Sequence, residues 1–350
     1  MVVKWEKNKE AFDGLFQSIG GTPLVKLRKI PKAEGIDANI LVKLEYFNPT
    51  GSLKDRIYHE MVTKAIEAGD LKPGMDIIEA STGNAGIACA FVGEILGYTV
   101  TIVIPSGMSQ ERMKIIRAYG GEIIFTPGAE SDVDLCLEKI DELRKKNPGK
   151  YWWPDQYRNP NNPMAHYKST GPEIWQQTKG EVDCFVASQG TGGTLTGVGR
   201  FMREKNPIVA LYAVEPSEAP MLSKREWGSH KVEGIGDGFV PLNLDLSILK
   251  GIVTTTSKEA IDMARRLALE EGIFCGISSG CNVAAAVKVA KRHPEFKTIV
   301  TMINDTGQRY LSTELCGETK AVDIPEREHP LDEHTIRELD KYQTSWEIVE

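Results

Sequence analysis

Lys54 is the residue of this sequence whose surroundings most clearly suggest chemistry. It stands in the turn NPTGSLKDR (residues 48–56), which follows an apolar run at 40–45. Apolar residues recur at helical spacing from 57 to 68, so a helix is predicted to begin near Lys54. The free N–H groups and the positive dipole end at a helix start disfavour a charged lysine, and a neutral amine can form a Schiff base. The alternative is a solvated lysine in a first helical turn.

A glycine-rich loop, Gly190-Thr-Gly-Gly-Thr194, is the second candidate. It follows a predicted strand at 182–187 and opens a predicted helix, so its N–H groups and the helix dipole could hold an anion. A tight strand-to-helix turn would explain the same pattern. Leu195 replaces the third glycine of a dinucleotide fingerprint, and no G-K-[ST] follows, which favours a phosphate monoester. Such a phosphate together with a Schiff-base lysine points to pyridoxal phosphate.

The elements around these loops predict an α/β fold. Apolar strands alternate with helices of about 10–15 residues, a pattern typical of a doubly wound parallel sheet. In such sheets the loops at the carboxyl ends of the strands bind ligands. The long Gly- and Pro-containing segment 216–250 is a further candidate for function. The predicted strands lie at 75–80, 99–104, 122–126, 182–187, 209–215 and 298–303.

Composition argues against several classes of protein. The net charge of the 350 residues is -7, which disfavours nucleic acid or an anionic membrane as the main partner. No apolar run approaches the roughly 20 residues of a membrane span, and the N-terminus lacks the apolar core of a signal peptide. The six cysteines form no C-x-x-C pair, and the six histidines show no metal-binding spacing. We therefore expect a cytoplasmic protein without a metal site.

Several motifs occur in the order known from one family. The sequence resembles the cysteine synthase and cystathionine β-synthase family. Its members are pyridoxal-phosphate enzymes of fold type II, and the resemblance covers nearly all of residues 15–315. The motifs are Gly20-Gly-Thr-Pro-Leu-Val25, the Lys54 turn, Ser81-Thr-Gly-Asn-Ala-Gly86, Asn162-Pro163 through Trp175, Gly190–Thr194, Glu233-Gly-Ile-Gly236, Gly276-Ile-Ser-Ser-Gly280 and Gly307-Gln-Arg-Tyr-Leu-Ser312.

The resemblance implies an architecture similar to that of the tryptophan synthase β chain, with two doubly wound domains. A large cofactor-binding domain would comprise 1–46 and 156–320, and a small mobile substrate-loop domain 47–155. The tail, residues 321–350, is acidic and polar, so we expect a C-terminal extension packed on the surface or at an interface, with a short helix at 334–342. The family's habit also implies a homodimer.

The resemblance also implies roles for individual residues. Lys54 would form the internal aldimine and later move the α-proton, Asn84 would contact the ring hydroxyl, and Ser278 would face the pyridine nitrogen. The remaining cofactor-binding positions would be Gly190, Thr191, Gly192, Gly193 and Thr194 around the phosphate. The substrate-binding positions would be Ser81, Thr82, Gly83, Gln156 and Gly234.

The implied activity is β-replacement on a serine- or cysteine-type amino acid through an aminoacrylate. In a cysteine synthase, acetate or phosphate leaves and sulfide adds. The alternative is that cysteine loses sulfide, and water gives serine or a thiol gives a thioether such as cystathionine. A scaffold protein with a degraded site belongs to a different class, and intact Lys54, Asn84 and Ser278 argue against it.

Two positions depart from the family pattern. Ala85 lacks a hydroxyl that usually follows the substrate-loop asparagine, and Asp237 stands where relatives carry a small or aromatic residue. Asp237 is interpreted in two ways. It is either an exposed turn residue or a general base over the substrate β-carbon, where it would repel hydrosulfide and accept a proton from a thiol or water.

Overall fold

Two parallel sheets organise the protein, whose computed structural model describes residues 11–128, 132–317 and 330–350. The strands are β1 (Leu24–Lys26), β2 (Asn39–Leu44), β3 (Asp76–Ala80), β4 (Val100–Pro105), β5 (Glu122–Thr126), β6 (Tyr151–Trp152), β7 (Cys184–Ser188), β8 (Ala210–Pro216), β9 (Gly251–Thr255), β10 (Thr298–Ile303) and β11 (Glu347–Val349). The larger sheet has seven strands in the order β1-β2-β10-β7-β8-β9-β11, and the smaller has four in the order β5-β4-β3-β6. Only β1 pairs antiparallel among these described strands. The predicted α/β fold with mainly parallel sheets is confirmed.

Helices cover the sheets. They are α1 (Lys29–Ala33), α2 (Lys54–Ala68), α3 (Asn84–Ile95), α4 (Gln110–Ala118), α5 (Val133–Lys146), α6 (Asn161–Ala165), α7 (Gly171–Gln177), α8 (Gly193–Lys205), α9 (Met221–Lys224), α10 (Ser257–Arg266), α11 (Ile277–Arg292) and α12 (Glu333–Tyr342). In the smaller sheet, β3 and β4 are almost wholly buried, as expected for strands covered on both faces. No described helix is both long and apolar enough to cross a membrane.

The C-terminal segment ends in the larger sheet. β11 pairs in parallel with β9 and forms the edge of that sheet, and α12 occupies the position at which a short helix is predicted. Residues 318–329 lie outside the described ranges, so part of the predicted extension does too. The strands between residues 76 and 152 form the smaller sheet. The domain boundaries at 46/47 and 155/156 stay a prediction.

A buried charge cluster holds the first turn of α2. The Arg56 guanidinium pairs with Glu45 (2.7 Å) and donates two 2.8 Å hydrogen bonds to Glu173, whose carboxylate also pairs with Lys43 (2.7 Å). Lys43, Glu45 and Arg56 are each at most 3% exposed. Burial raises the pKa of Glu45, but Arg56 outweighs it, so the pKa lies below its usual value. The cluster therefore ties α2 to β2 and α7 with two cations balanced by two anions.

Replacement of Glu45 by Gln should destabilise the fold, because Arg56 then keeps only one counter-ion in a buried site. Removing one partner of a buried pair costs about 3–5 kcal/mol. We expect a loss of this size in the free energy of unfolding, measured by urea denaturation. Glu67→Gln, which removes the exposed partner of Lys64 on the same helix, is the control and should leave the denaturation midpoint unchanged. Equal midpoints for the two variants would show that the cluster does not stabilise α2.

Candidate active site

One cavity collects most of the residues that the sequence singles out. It lies where loops follow the carboxyl ends of β3, β7 and β10, the edge at which parallel sheets bind ligands. The predicted site residues that line it are Lys54, Thr82, Asn84, Gln156, Gly190, Thr191, Gly192, Gly193, Thr194, Gly234, Asp237 and Ser278. The structure thus brings together loops that are more than 200 residues apart in sequence.

Lys54 is the first residue of α2, as the sequence predicts. Its backbone N–H donates to the Ser52 hydroxyl (3.3 Å), and the side chain is half-buried. Asp55 closes the preceding turn by accepting hydrogen bonds from the backbone N–H (2.7 Å) and the hydroxyl of Thr50. Together with the Arg56 cluster, these contacts fix the start of α2 at the cavity wall.

The Gly190–Thr194 loop forms a cradle of backbone N–H groups at the start of α8. A Cβ on Gly192 would lie 2.6 Å from the Leu244 Cβ, and one on Gly193 would lie 1.9 Å from the Asn162 Oδ1. Gly192 also has φ +79°, in the region that favours glycine. The loop therefore requires its glycines, and its N–H groups and helix dipole suit a phosphate.

Neutral side chains support this cradle. Asn162 donates to the Thr191 hydroxyl (2.9 Å) and to the Gln156 carbonyl (2.7 Å). The His166 ring lies 3.3 Å from the Thr194 hydroxyl, and burial lowers the pKa of His166 to about 3, so the ring is neutral at physiological pH. The cradle thus relies on dipoles.

Asn84 is the first residue of α3, and both polar atoms of its side-chain amide form hydrogen bonds. Its Nδ2 donates to Asp305 (2.6 Å), and its Oδ1 accepts from Arg309. Tyr310 donates to the same Asp305 oxygen (2.8 Å). These partners orient Asn84 in the cavity wall, and its predicted contact with the ring hydroxyl stays a prediction.

Ser278 lies in the first turn of α11 and is buried. Its hydroxyl accepts a hydrogen bond from Asn304 (3.1 Å), a residue at the end of β10 that also lines the cavity. A hydroxyl held in this way can face a ring nitrogen without carrying a charge. That role for Ser278 stays a prediction.

The 81–86 loop divides into buried and cavity-facing residues. The Ser81 hydroxyl is fully buried and accepts from the N–H groups of Gly83 (2.9 Å) and Gly86 (2.7 Å). Thr82 and Ala85 line the cavity, whereas Ser81 and Gly83 are not among its lining residues. The Ser81 side chain therefore shapes the loop, and the substrate roles of Ser81 and Gly83 stay predictions.

Asp237 is not an exposed turn residue, because only 4% of it is accessible and it lines the cavity with Lys54. Burial raises the pKa of Asp237 to about 6, and Lys54 and the Tyr157 hydroxyl oppose the rise. A carboxyl group with such a pKa is mostly ionised at neutral pH and can accept a proton. The geometry therefore suits a general base.

Sequence reasoning missed four polar residues of the cavity wall. Arg112, Tyr157, Ser188 and Asn304 line it as well. Arg112 lies in α4, where the periodic pattern gives no chemical signal, and Asn304 follows a buried strand. Only the packing of the two sheets brings them to the site.

These residues fit pyridoxal phosphate. The crowded glycine cradle offers N–H donors for a phosphate, Lys54 offers an amine for the aldehyde, and Ser278 a neutral hydroxyl. Within the described ranges, no group of three or more His, Cys, Asp or Glu residues could hold a metal ion.

Known proteins support the same interpretation. The profile of a family described as "Pyridoxal-phosphate dependent enzyme" matches residues 15–305. The chain is similar to cysteine synthase 3 from Caenorhabditis elegans, with 50% identity over 301 residues that cover 85% of this chain and 88% of the relative. Among solved structures, a cysteine synthase from Entamoeba histolytica has a TM-score of 0.86 and 38% identity, covering 98% of this chain and 99% of that one. A hydrogen sulfide-producing enzyme from Fusobacterium nucleatum has a TM-score of 0.82 and 39% identity, covering 86% and 100%.

Replacement of Lys54 by Ala should abolish covalent attachment of the cofactor and turnover, because no amine remains at that point of the wall. Borohydride reduction followed by mass spectrometry measures the attachment. Lys64→Ala, on the exposed side of the same helix, is the control and should retain both. Cofactor still reducible onto the Lys54→Ala protein would contradict the assignment.

Replacement of Gly192 by Asp should weaken cofactor binding, since a side chain fills the cradle and adds a charge opposite a dianion. Like-charge contacts cost several kcal/mol, so the dissociation constant should rise by roughly two orders of magnitude. Gly97→Asp is the matched control, because Gly97 has the same φ of +79° but no atom within 4 Å of its Cβ position. Equal affinity in fluorescence titrations of both variants would move the phosphate site elsewhere.

Proposed function

Because the chain belongs to the cysteine synthase and cystathionine β-synthase family of pyridoxal-phosphate dependent enzymes, we propose that it replaces the β-substituent of a serine- or cysteine-type amino acid. The observation that carries this proposal is the single cavity shared by Lys54, the Gly190–Thr194 cradle, Ser278 and the 81–86 loop. Those groups meet the needs of an α-amino acid and of pyridoxal phosphate together.

The lining residues would have different roles in this reaction. When bound, pyridoxal phosphate supplies an electron-withdrawing ring that stabilises negative charge at the substrate α-carbon. The Lys54 amine would remove and return the α-proton. The substrate carboxylate would bind to the N–H groups at the start of α3, because helix starts bind anions. The Gln156 amide would be a further donor to the same carboxylate.

The main form of the proposal is the cysteine-synthase direction. Acetate or phosphate would leave the β-carbon, and sulfide would add to give cysteine. Its support is the identity of 50% with a cysteine synthase over most of both chains.

A second form is favoured by Asp237. Its buried carboxylate at the cavity wall would repel incoming hydrosulfide and would accept a proton from a substrate thiol or an attacking water. Cysteine would then lose sulfide, and water or a second thiol would add to give serine or a thioether such as cystathionine. The similarity to a hydrogen sulfide-producing enzyme is compatible with this direction.

Separate assays with O-acetylserine, O-phosphoserine, serine and cysteine distinguish the two forms. Sulfide consumption, sulfide release and the amino-acid product are measured for each substrate. Fastest turnover of an O-acylated or phosphorylated serine with sulfide would support the main form. Sulfide release from cysteine as the fastest reaction would support the second, and no turnover of any of the four would contradict the proposal.

The second form predicts a dependence on pH. As a base, Asp237 must be ionised, so sulfide release from cysteine should fall as the pH drops through about 6, the pKa of this group. Asp237→Asn should stall the reaction and remove this acidic limb while cofactor content stays unchanged, and Asp237→Ala should allow sulfide to add. Burial also raises the pKa of Asp55 to about 6. If sulfide release by the Asp237→Asn variant still falls as the pH drops through about 6, the titrating group is therefore not Asp237. Unchanged cysteine turnover in both variants would remove Asp237 from the mechanism.

We also propose a cytoplasmic homodimer. None of the six cysteines, which all lie in the described ranges, forms a disulfide, and five are buried, which suits a reducing compartment. The dimer rests on the resemblance alone. Light scattering coupled to size exclusion measures the assembly.

A further inference from the structure

Arg112 is a buried cation at the cavity wall that the proposed mechanism does not use. It lies in α4 and is 1% exposed. Its Nη1 forms an ion pair with the Glu233 Oε2, but neither of these two atoms, nor the Arg112 Nε, makes a hydrogen bond among the described residues. Burying a guanidinium is costly, and one carboxylate offsets that cost only when the geometry is good and the remaining N–H groups are hydrogen-bonded.

The Arg112 side chain connects two loops of the site. A Cβ on Gly83 would lie 1.9 Å from the Arg112 Cδ and 2.4 Å from its Nε, so the side chain passes directly over the 81–86 loop. Glu233 opens the segment 233–238, which carries Asp237 four residues later. One side chain therefore touches the loop proposed for the substrate carboxylate and the loop of the proposed base.

The 233–238 segment is held mainly by backbone contacts, such as the hydrogen bond from the Gly236 N–H to the Gln189 carbonyl (3.2 Å). Gly234, Gly236 and Gly238 all have φ between 73° and 90°, and glycine offers no side chain to hold a loop in place. The Glu233 side chain is 16% exposed, so water screens its pair with Arg112 only in part.

Tyr310 holds Arg112, the other residue of the ion pair, in place. The Arg112 guanidinium lies 4.5 Å from the centroid of the Tyr310 ring, a favourable cation–π distance. The Tyr310 hydroxyl donates to Asp305, which also accepts from Asn84. Arg112 is thus held against a rigid part of the site, whereas Glu233 sits on a glycine-rich loop.

We propose that Arg112 is a positioning residue, whose ion pair with Glu233 latches segment 233–238 against the 81–86 loop and sets the position of Asp237. The inference depends on the proposed function in one respect only, namely that Asp237 acts as the general base. The contact itself is independent of the leaving group and the nucleophile.

Glu233→Gln tests the latch because it removes the charge and keeps the shape. In the holoenzyme we expect faster amide hydrogen exchange in 234–238 and in 82–84, and unchanged cofactor content. The kcat should be about tenfold lower, since a small misplacement of a reacting group lowers the rate. Glu226→Gln makes the same chemical change seven residues earlier, at a residue with no ion pair in the described part of the chain, and should match the wild type. Wild-type exchange and kcat in Glu233→Gln would overturn the latch.

Arg112→Gln completes a double-mutant cycle. If the two residues act as one latch, the double variant loses no more kcat than either single variant, whereas losses that multiply would overturn the proposal. Amide hydrogen exchange distinguishes a failure of the latch from a failure of the proposed function. Loosening of both loops by Glu233→Gln supports the latch even if the wild type turns over none of the four amino acids.

Discussion

The position of Lys54 depends on the buried charge cluster of Lys43, Glu45, Arg56 and Glu173. Arg56 stands two residues after Lys54, so α2 cannot turn or slide without separating buried charges from their partners. Because Lys43 lies in β2 and Glu45 directly follows its last residue, the larger sheet sets where the amine stands. The cluster thus connects the core of one sheet with the Lys54 amine.

Charge is distributed unevenly around the cavity. The phosphate cradle, Ser278 and Asn304 offer dipoles and neutral hydrogen-bonding groups from the larger sheet, whereas α2 brings the Lys54 amine and α4 brings the Arg112 guanidinium, which pairs with Glu233. Asp237 adds a carboxylate whose burial raises its pKa into the range where proton transfer near neutral pH is efficient.

Elements with a regular pattern were predictable, and irregular ones were not. Strands β3, β4, β7 and β10 and the helix that begins at Lys54 follow from apolar periodicity, because buried faces leave a regular record in the sequence. The π-helical turns at His166–Thr170 and Leu267–Glu271 leave no such record, because they interrupt a helix without changing its residue types. β11 was missed because three residues are too few to show a period.

The sequence by itself determined the cofactor chemistry of this protein, because the motifs at Lys54, Ser81–Gly86, Gly190–Thr194 and Gly276–Gly280 are local and each needs only its own strand end or helix start. It could not decide between an exposed and a buried Asp237, since burial depends on which loops pack over the residue. Nor could it place Arg112 over Gly83 or pair it with Glu233, because these residues come from separate loops and meet only where the two sheets pack together. Local motifs carry the chemistry, whereas long-range packing decides which charges face the substrate.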